Sequence, residues 1–291
     1  MQPGIPENAA TITFSGATEL TNEHLDEWAI SILADPVKKT PCAVDNFKLE
    51  NGVIDARVYL KNTYGYSDWK CGQDFYESWE RNETFYQSRL EAYKKEIEND
   101  MPVYDRFKMA GDILDVGGLT GTVREFLSKD CRYVSIDPFI DAFLKTAKTK
   151  IEAYQCLKQR CNFVGAVAEF IPFRAESFDW VHMRSMLDHV QVPDLALREA
   201  YRVLKPDGSL LIGLSVEGGK SGRKAPIRLA KDIVKETLGF VGMKKYKDSH
   251  TWHPTYVNLL KLITDNGFEV KDTYWQPYWK DQVVYVLASK G

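Results

Sequence analysis

Residues 111–122 read GDILDVGGLTGT, and the fold turns on that stretch. Ile113, Leu114 and Val116 form a short apolar run of the kind a buried parallel strand needs, because both of its faces are covered. Gly117, Gly118 and Gly121 follow at once, and Val123, Phe126 and Leu127 then come at helical spacing. Strand, glycine turn and helix make the first half of a nucleotide-binding βαβ unit. Glycines let the backbone approach a ligand and adopt φ > 0, while a helix N-terminus presents free N–H groups. The second half is CRYVSIDPF (131–139), a strand ending in Asp137, twenty positions beyond Gly117. At that distance an acid reaches the ribose hydroxyls of a bound nucleoside. The dinucleotide fingerprint G-x-G-x-x-G is absent, since Leu119 stands between the glycines.

Three further segments follow in order: AVAEFIPFRAESFDWVHM (166–183), LDHV (187–190) and LREAYRVLKPDGSLLI (197–212). On these residues the chain resembles the class I S-adenosylmethionine (SAM) methyltransferases, in particular the ubiquinone/menaquinone-biosynthesis type. The resemblance covers roughly 105–290, and RVLKPDG (202–208) is its most specific part. It implies an α/β fold, a Rossmann-like seven-stranded sheet of order 3-2-1-4-5-7-6 with the last strand antiparallel, here carrying a small α+β N-terminal cap. It also implies SAM as cofactor, S-adenosylhomocysteine as product and a small-molecule acceptor.

The resemblance implies roles for individual residues. Asp115 would accept hydrogen bonds near the methionine ammonium, and Gly117, Gly118 and Gly121 would let the backbone approach the amino-acid half of the cofactor. Asp137 would take both ribose hydroxyls, with Pro138 and Phe139 beside the adenine. Where the family commonly reads GDAEXLPF, this chain has Val167-Ala168-Glu169, so backbone groups of Ala168 and Glu169, or the Glu169 side chain, would meet the ring. The segment from Arg184 to His189 should face the transferred methyl, with Ser185 a cofactor-binding residue. His189 is a candidate general base, with packing as its alternative, and His250 and His253 are equal candidates. Asp188 could orient an imidazole, but adjacent residues on a helix do not face each other. His250 and His253 have H-x-x-H spacing without a clear third ligand, so no metal is expected.

The 291 residues are 44% hydrophobic, enough for a sizeable core, and a net charge of −3 gives no general reason to expect nucleic acid or a membrane surface. No apolar run approaches the ~20 residues of a membrane span, and no signal-peptide pattern stands at the N-terminus. Five cysteines without a C-x-x-C pair read as reduced thiols, which suits a cytoplasmic protein.

Residues 1–20 read as a loose arm, 21–103 as a cap and lid, and 104–291 as the methyltransferase domain. Within the cap, 22–34 has helical spacing behind Thr21 or Asn22, and Glu50-Asn51-Gly52 predicts a hairpin. That segment resembles, in degenerate form, a small zinc-ribbon module. Asp35 replaces its first cysteine, and Cys42 and Cys71 have no companions. An aromatic-rich helix is expected from Trp69 to about Glu98, ending at Met101-Pro102. Tyr64, Tyr66, Trp69, Gln73 and Tyr76 are candidate lid residues. Residues 220–247 carry nine Lys or Arg against Asp232 and Glu236, which reads as a solvated helix face or as a wall for an anionic acceptor. Oxygen is the first expectation for the acceptor atom, then nitrogen or carbon. A non-catalytic SAM-fold partner and an RNA-modifying enzyme are the rival readings.

Overall fold

The computed structural model describes residues 24–63, 66–80, 89–222, 250–277 and 282–291, without the side chains of 68, 76, 79 and 80. Expectations for the N-terminal arm, for Tyr64, for the Tyr76 side chain and for most of the basic window lie outside the described residues.

The glycine-turn strand is β3 (Asp112–Val116), and all five of its residues are buried. It pairs in parallel with β4 (Arg132–Asp137) on one side and β6 (Phe178–Arg184) on the other. β5 (Asn162–Gly165) continues beyond β4, and β7 (Leu204–Ser215) beyond β6, both in parallel. β8 (Phe268–Gln276) and β9 (Val283–Lys290) close that edge, with β9 antiparallel to both β7 and β8. These seven strands stand in the order β5-β4-β3-β6-β7-β9-β8, which is the expected 3-2-1-4-5-7-6.

The hairpin lies on the same sheet. β1 (Lys48–Glu50) and β2 (Val53–Asp55) turn at Asn51 and Gly52, both at positive φ, and β2 runs parallel to β5 through Asp55 and Gly165. The sheet therefore has nine strands among the described residues.

The sequence RVLKPDG works at the edge of the sheet away from the glycine turn. Lys205 Nζ lies 2.9 Å from both Asp112 Oδ2 and Asp179 Oδ2, and Arg132 Nε donates to Asp112 Oδ1 at 2.5 Å. Burial pushes the Asp112 carboxyl up, but the Arg132 and Lys205 bonds outweigh it and hold it below its usual range. Four strands, β3, β4, β6 and β7, are pinned together there.

Four helical expectations need correction. The segment after the glycine turn is a five-residue 3-10 turn (Thr122–Phe126), not a longer helix. Arg124 is drawn to Arg160 O at 2.8 Å, and Glu125 accepts from Cys156 N at 2.9 Å, so tertiary bonds set its geometry. The N-terminal helix α1 is only Glu27–Ser31, capped by Asp26, whose carboxylate accepts from Ala29 N; Leu33 then pairs with Phe173. Among the described residues the aromatic stretch holds two helices, α2 (Tyr66–Glu80) and α3 (Leu90–Phe107). Finally, α3 runs through Pro102 instead of ending there. The proline is exposed, while Val103, Tyr104 and Phe107 are buried, and Asp100 is bonded to Arg184 and Gln276. Packing of that face holds the helix together past its missing N–H.

Candidate functional site

Two cavities open at the C-terminal ends of β3, β4 and β6. The first, an open cleft, has Asp137, Pro138, Ala168 and Glu169 in one wall and Ser185, Met186 and His189 in another. The second and larger is walled by α3, the glycine turn and the end of β6. Gly117, Asp137, Phe139 and Ser185 line both, so the two meet at the tips of the central strands.

The glycine turn is shaped for close approach. Gly117 has φ +74, and a Cβ there would stand 2.6 Å from Met186 Cβ. A Cβ on Gly118 would lie 2.1 Å from Asp115 Oδ2, so a side chain at that position would displace the carboxylate. Leu119 occupies a left-handed conformation, φ +44, and lines the second cavity. Gly121 lines neither cavity, and a Cβ on it would meet Tyr133, Arg124 and Cys161.

Asp115 is held by a buried chain of polar groups. Tyr133 donates its hydroxyl to Oδ2 at 2.5 Å, and His182 Nδ1 lies 2.8 Å from Oδ1. His182 Nε2 is 3.2 Å from the Tyr104 hydroxyl. Burial pushes both phenols well above the usual tyrosine range, so both stay protonated as donors. His182 thus bridges the Tyr104 hydroxyl and the Asp115 carboxylate. This histidine pairs in register with Asp115 across β3 and β6. Sequence reasoning passed over it, although a lone histidine inside an apolar strand was the available signal.

Asp137 is 6% exposed, and its Oδ1 accepts from Phe139 N at 3.0 Å. Pro138 and Ala168 line the first cavity beside it, with Val167 buried in the same wall. Glu169 also lines that cavity, but its Oε1 accepts from Gln191 N (2.7 Å) and Val192 N (3.0 Å) at the start of α6 (Pro193–Val203). Burial raises its pKa. Ser185, at φ +49, donates its N–H to Gly213 O at 2.8 Å. Of the lid candidates, Trp69 and Gln73 reach the cleft, and both donate to His189 O, at 2.9 and 3.0 Å. Tyr66 packs against Trp69, with ring centroids 5.7 Å apart.

The three candidate bases come together. His189 and His250 have ring centroids 4.4 Å apart, and His253 follows at 5.3 Å from His250. Residues 187–189 form a turn, not a helix, so Asp188 does face its neighbour. His189 Nε2 is 3.9 Å from Asp188 Oδ1, and His250 Nε2 is 3.6 Å from Oδ2. Asp188 was discounted on the sequence only because a helix was assumed.

These residues fit SAM, whose charges are of both signs. The larger cavity is lined by Arg89, Lys150 and Arg184 as well as Glu96, Asp100, Asp115 and Asp137. It also holds a buried Asn99 Nδ2 that lacks a hydrogen-bond partner. Its wall is not net positive, so the described residues give no support to an anionic acceptor. Among them, no helix is long and apolar enough to cross a membrane.

A family model described as a methyltransferase domain matches residues 114–212. The ubiquinone/menaquinone biosynthesis C-methyltransferase UbiE of Shewanella oneidensis is 30% identical over 173 residues, covering 55% of this chain and 67% of that protein. UbiE of Klebsiella pneumoniae is 30% identical over 175 residues, covering 56% of this chain and 68% of its own length. Among solved structures, TnmH superposes with a TM-score of 0.50 at 18% identity, over 80% of this chain and 64% of TnmH. A Burkholderia thailandensis 1,6-didemethyltoxoflavin-N1-methyltransferase, solved with S-adenosylhomocysteine, has a TM-score of 0.49 at 16% identity, over 81% and 94% of the two chains. The chain belongs to the class I SAM-dependent methyltransferases, as a distant relative of the UbiE enzymes.

Proposed function

We propose that the chain moves the methyl group of SAM onto an oxygen of a small-molecule acceptor that binds beside Ser185 and His189. The observation that carries this reading is the set of four residues, Gly117, Asp137, Phe139 and Ser185, shared by both cavities. A cofactor spanning the junction brings its centre to the histidine cluster.

SAM, when bound, supplies an electrophilic methyl on a sulfonium. Asp137 accepts from the ribose hydroxyls, and its charge strengthens those bonds. Pro138, Phe139 and Ala168 flank the adenine, while Glu169 is committed to α6 and contributes its backbone. Gly117 and Gly118 admit the amino-acid half, and Asp115, fixed by Tyr133 and His182, turns its remaining lone pairs toward the ammonium. Trp69 and Gln73 exclude water from the cleft. Orientation of two reactants supplies much of the rate, and the acceptor proton leaves at the Asp188–His189–His250 cluster, with His253 the next ring outward. The five cysteines are free, which supports a reducing, cytoplasmic setting.

A second reading follows from the relatives, which are named C-methyltransferases. There the acceptor is a carbon activated by a neighbouring hydroxyl, and the same cluster removes the hydroxyl proton.

Calorimetric titration with SAM and S-adenosylhomocysteine tests the first step. Micromolar binding is expected, and Asp137→Ala should weaken it about tenfold or more, since a hydrogen bond to a charged group is worth ~1.5–3 kcal/mol. Failure of both ligands to bind sinks the proposal. Turnover of carbon-13-labelled SAM with hydroxylated and quinol acceptors then separates oxygen from carbon by the chemical shift of the new methyl. A product methylated only on carbon overturns the oxygen assignment.

A further inference from the structure

We propose that Asp188, His189 and His250 bind a divalent transition-metal ion of the zinc type at the mouth of the first cavity. The binding stands on geometry and donor chemistry alone. Only its consequence for the acceptor rests on the methyl-transfer reading.

One donor atom from each of the three side chains lies within 4.8 Å of the other two. The contacts of 3.9 Å (His189 Nε2 to Asp188 Oδ1) and 3.6 Å (His250 Nε2 to Asp188 Oδ2) are too long for hydrogen bonds. Two ligands of one tetrahedral ion, each ~2.0–2.2 Å from it, stand roughly 3.4 Å apart. The two imidazoles sit near that spacing, each from a different oxygen of Asp188, and the three donors, all within 4.8 Å of one another, close on an ion by an inward shift. Asp188 Oδ1, moreover, is a buried oxygen without a hydrogen-bond partner, on a residue 7% exposed. A carboxylate oxygen in that condition is costly, and a cation in the gap removes the cost.

The cluster is also held in place from outside. Thr251 donates both its N–H (2.8 Å) and its hydroxyl (3.0 Å) to Asp188 O, and the hydroxyl reaches Val190 O at 2.7 Å. These bonds tie the segment carrying His250 to the turn carrying the other two ligands. From the opposite side Trp69 and Gln73 fix His189 through its carbonyl. Ligands positioned before the ion arrives lose little freedom on binding it.

Two imidazoles and one carboxylate suit zinc and its first-row neighbours better than the hard oxygen-seeking cations. Three protein ligands with a fourth position open is the layout of catalytic zinc sites. His189 lines the cleft next to Ser185 and Met186, so an ion that it holds would lie beside the place proposed for the acceptor. With the ion present, its charge lowers the pKa of an acceptor hydroxyl, and the imidazoles serve as ligands in place of bases.

The test uses the full chain, stripped with chelator and dialysed, then titrated with Zn²⁺ by calorimetry and with Co²⁺ by visible absorption. About one equivalent should bind at micromolar affinity or tighter, with the Co²⁺ spectrum of a low-coordinate site. Asp188→Asn and His250→Ala should each weaken binding by at least about tenfold, the least that even outer-shell substitutions produce. In the absence of metal His250→Ala should keep the wild-type melting temperature and Asp188→Asn should melt no lower than wild type, and both should keep the wild-type affinity for S-adenosylhomocysteine. His253→Ala should change Zn²⁺ affinity by less than about twofold, because His253 is not one of the three donors. No saturable binding, or equal binding in the wild type, Asp188→Asn and His250→Ala, overturns the proposal and assigns any uptake to the thiols. The titrations contain neither SAM nor acceptor, so their failure leaves the methyl-transfer reading intact. Loss of S-adenosylhomocysteine binding in the wild type would instead sink that reading and leave the metal site standing.

Discussion

Glu169 stands at the cofactor wall, yet its carboxylate does a structural task. Oε1 takes the N–H groups of Gln191 and Val192, which α6 cannot satisfy itself. Burial opposes its charge and raises its pKa above the ordinary 4.5, although the backbone bonds pull the other way. An acid whose pKa is raised by folding binds more protons folded than unfolded across that window. Its contribution is therefore fully present below the unfolded value and is lost as pH rises through the folded value. Glu169→Gln keeps an oxygen for both amides and removes the charge. Urea melts across pH 4–8 should show this variant gaining stability relative to wild type as pH rises. Glu169→Ala should lose about 1–2 kcal/mol throughout, as a lost N-terminal cap does. A Gln variant whose relative stability falls with pH would contradict the burial argument. Leu119 makes a second case. Its left-handed backbone costs ~1–2 kcal/mol, which glycine would relieve, while glycine's extra chain entropy costs ~0.5–1 kcal/mol. Leu119→Gly should accordingly leave denaturant midpoints almost unchanged. A loss above about 2 kcal/mol would mean that the side chain is a packing element. Asp137 and Gly117 were legible in the sequence because a strand, a turn and a strand fix their spacing covalently. Asp188 was not, since its partner His250 lies 62 positions away and only the folded chain brings the two together.

At the scale of elements, β3 to β7 could be read from short apolar runs in a fixed order, but the helices were harder. Pro102 illustrates why. A proline costs a helix about 3 kcal/mol in isolation, and local rules therefore end the helix before it. In α3 the buried face formed by Val103, Tyr104 and Phe107 overrides that cost, aided by Tyr104 stacked on Phe126 at 4.6 Å. Arg184 grips Asp100 through both nitrogens, and Gln276 donates to the same carboxylate at 2.8 Å. If packing carries α3 through the proline, then Pro102→Ala should restore a backbone bond at an exposed position and stabilise the protein by about 1–3 kcal/mol. A destabilised Pro102→Ala would show instead that the proline sets an angle that the packing requires. The reverse error occurred after the glycine turn, where helical spacing is present but bonds from Arg124 and Glu125 to distant backbone hold a 3-10 turn. Periodicity describes one face of a segment and carries no information about what tethers its ends.

For the molecule as a whole, the hairpin β1-β2 and helix α2 build on the two sides of one binding edge. The hairpin extends the sheet past β5 through Asp55 and Gly165, and Arg57, just beyond β2, donates to Pro138 O at 3.0 Å. Helix α2 contributes Trp69 and Gln73 to the cleft. Neither docking could be read locally, because each depends on a few bonds between segments far apart in the chain. A ligand seated between them ties segments from the N-terminal region to the strand tips, so its binding should register as global stability. S-adenosylhomocysteine at ~100 times its Kd adds about 2.7 kcal/mol by mass action. For a chain of this size ~1 kcal/mol moves Tm by about 2–4 °C, which gives an expected rise of roughly 5–10 °C. At the same concentration Asp137→Ala should show half that rise or less, following its weaker affinity. Trp69→Ala should reduce the rise and also lower the ligand-free Tm, because the buried ring closes the cleft, packs on Tyr66 and donates to His189 O. Equal shifts in wild type and Asp137→Ala would place the ligand away from β4, and the tips of the central strands would lose their claim to be the binding edge.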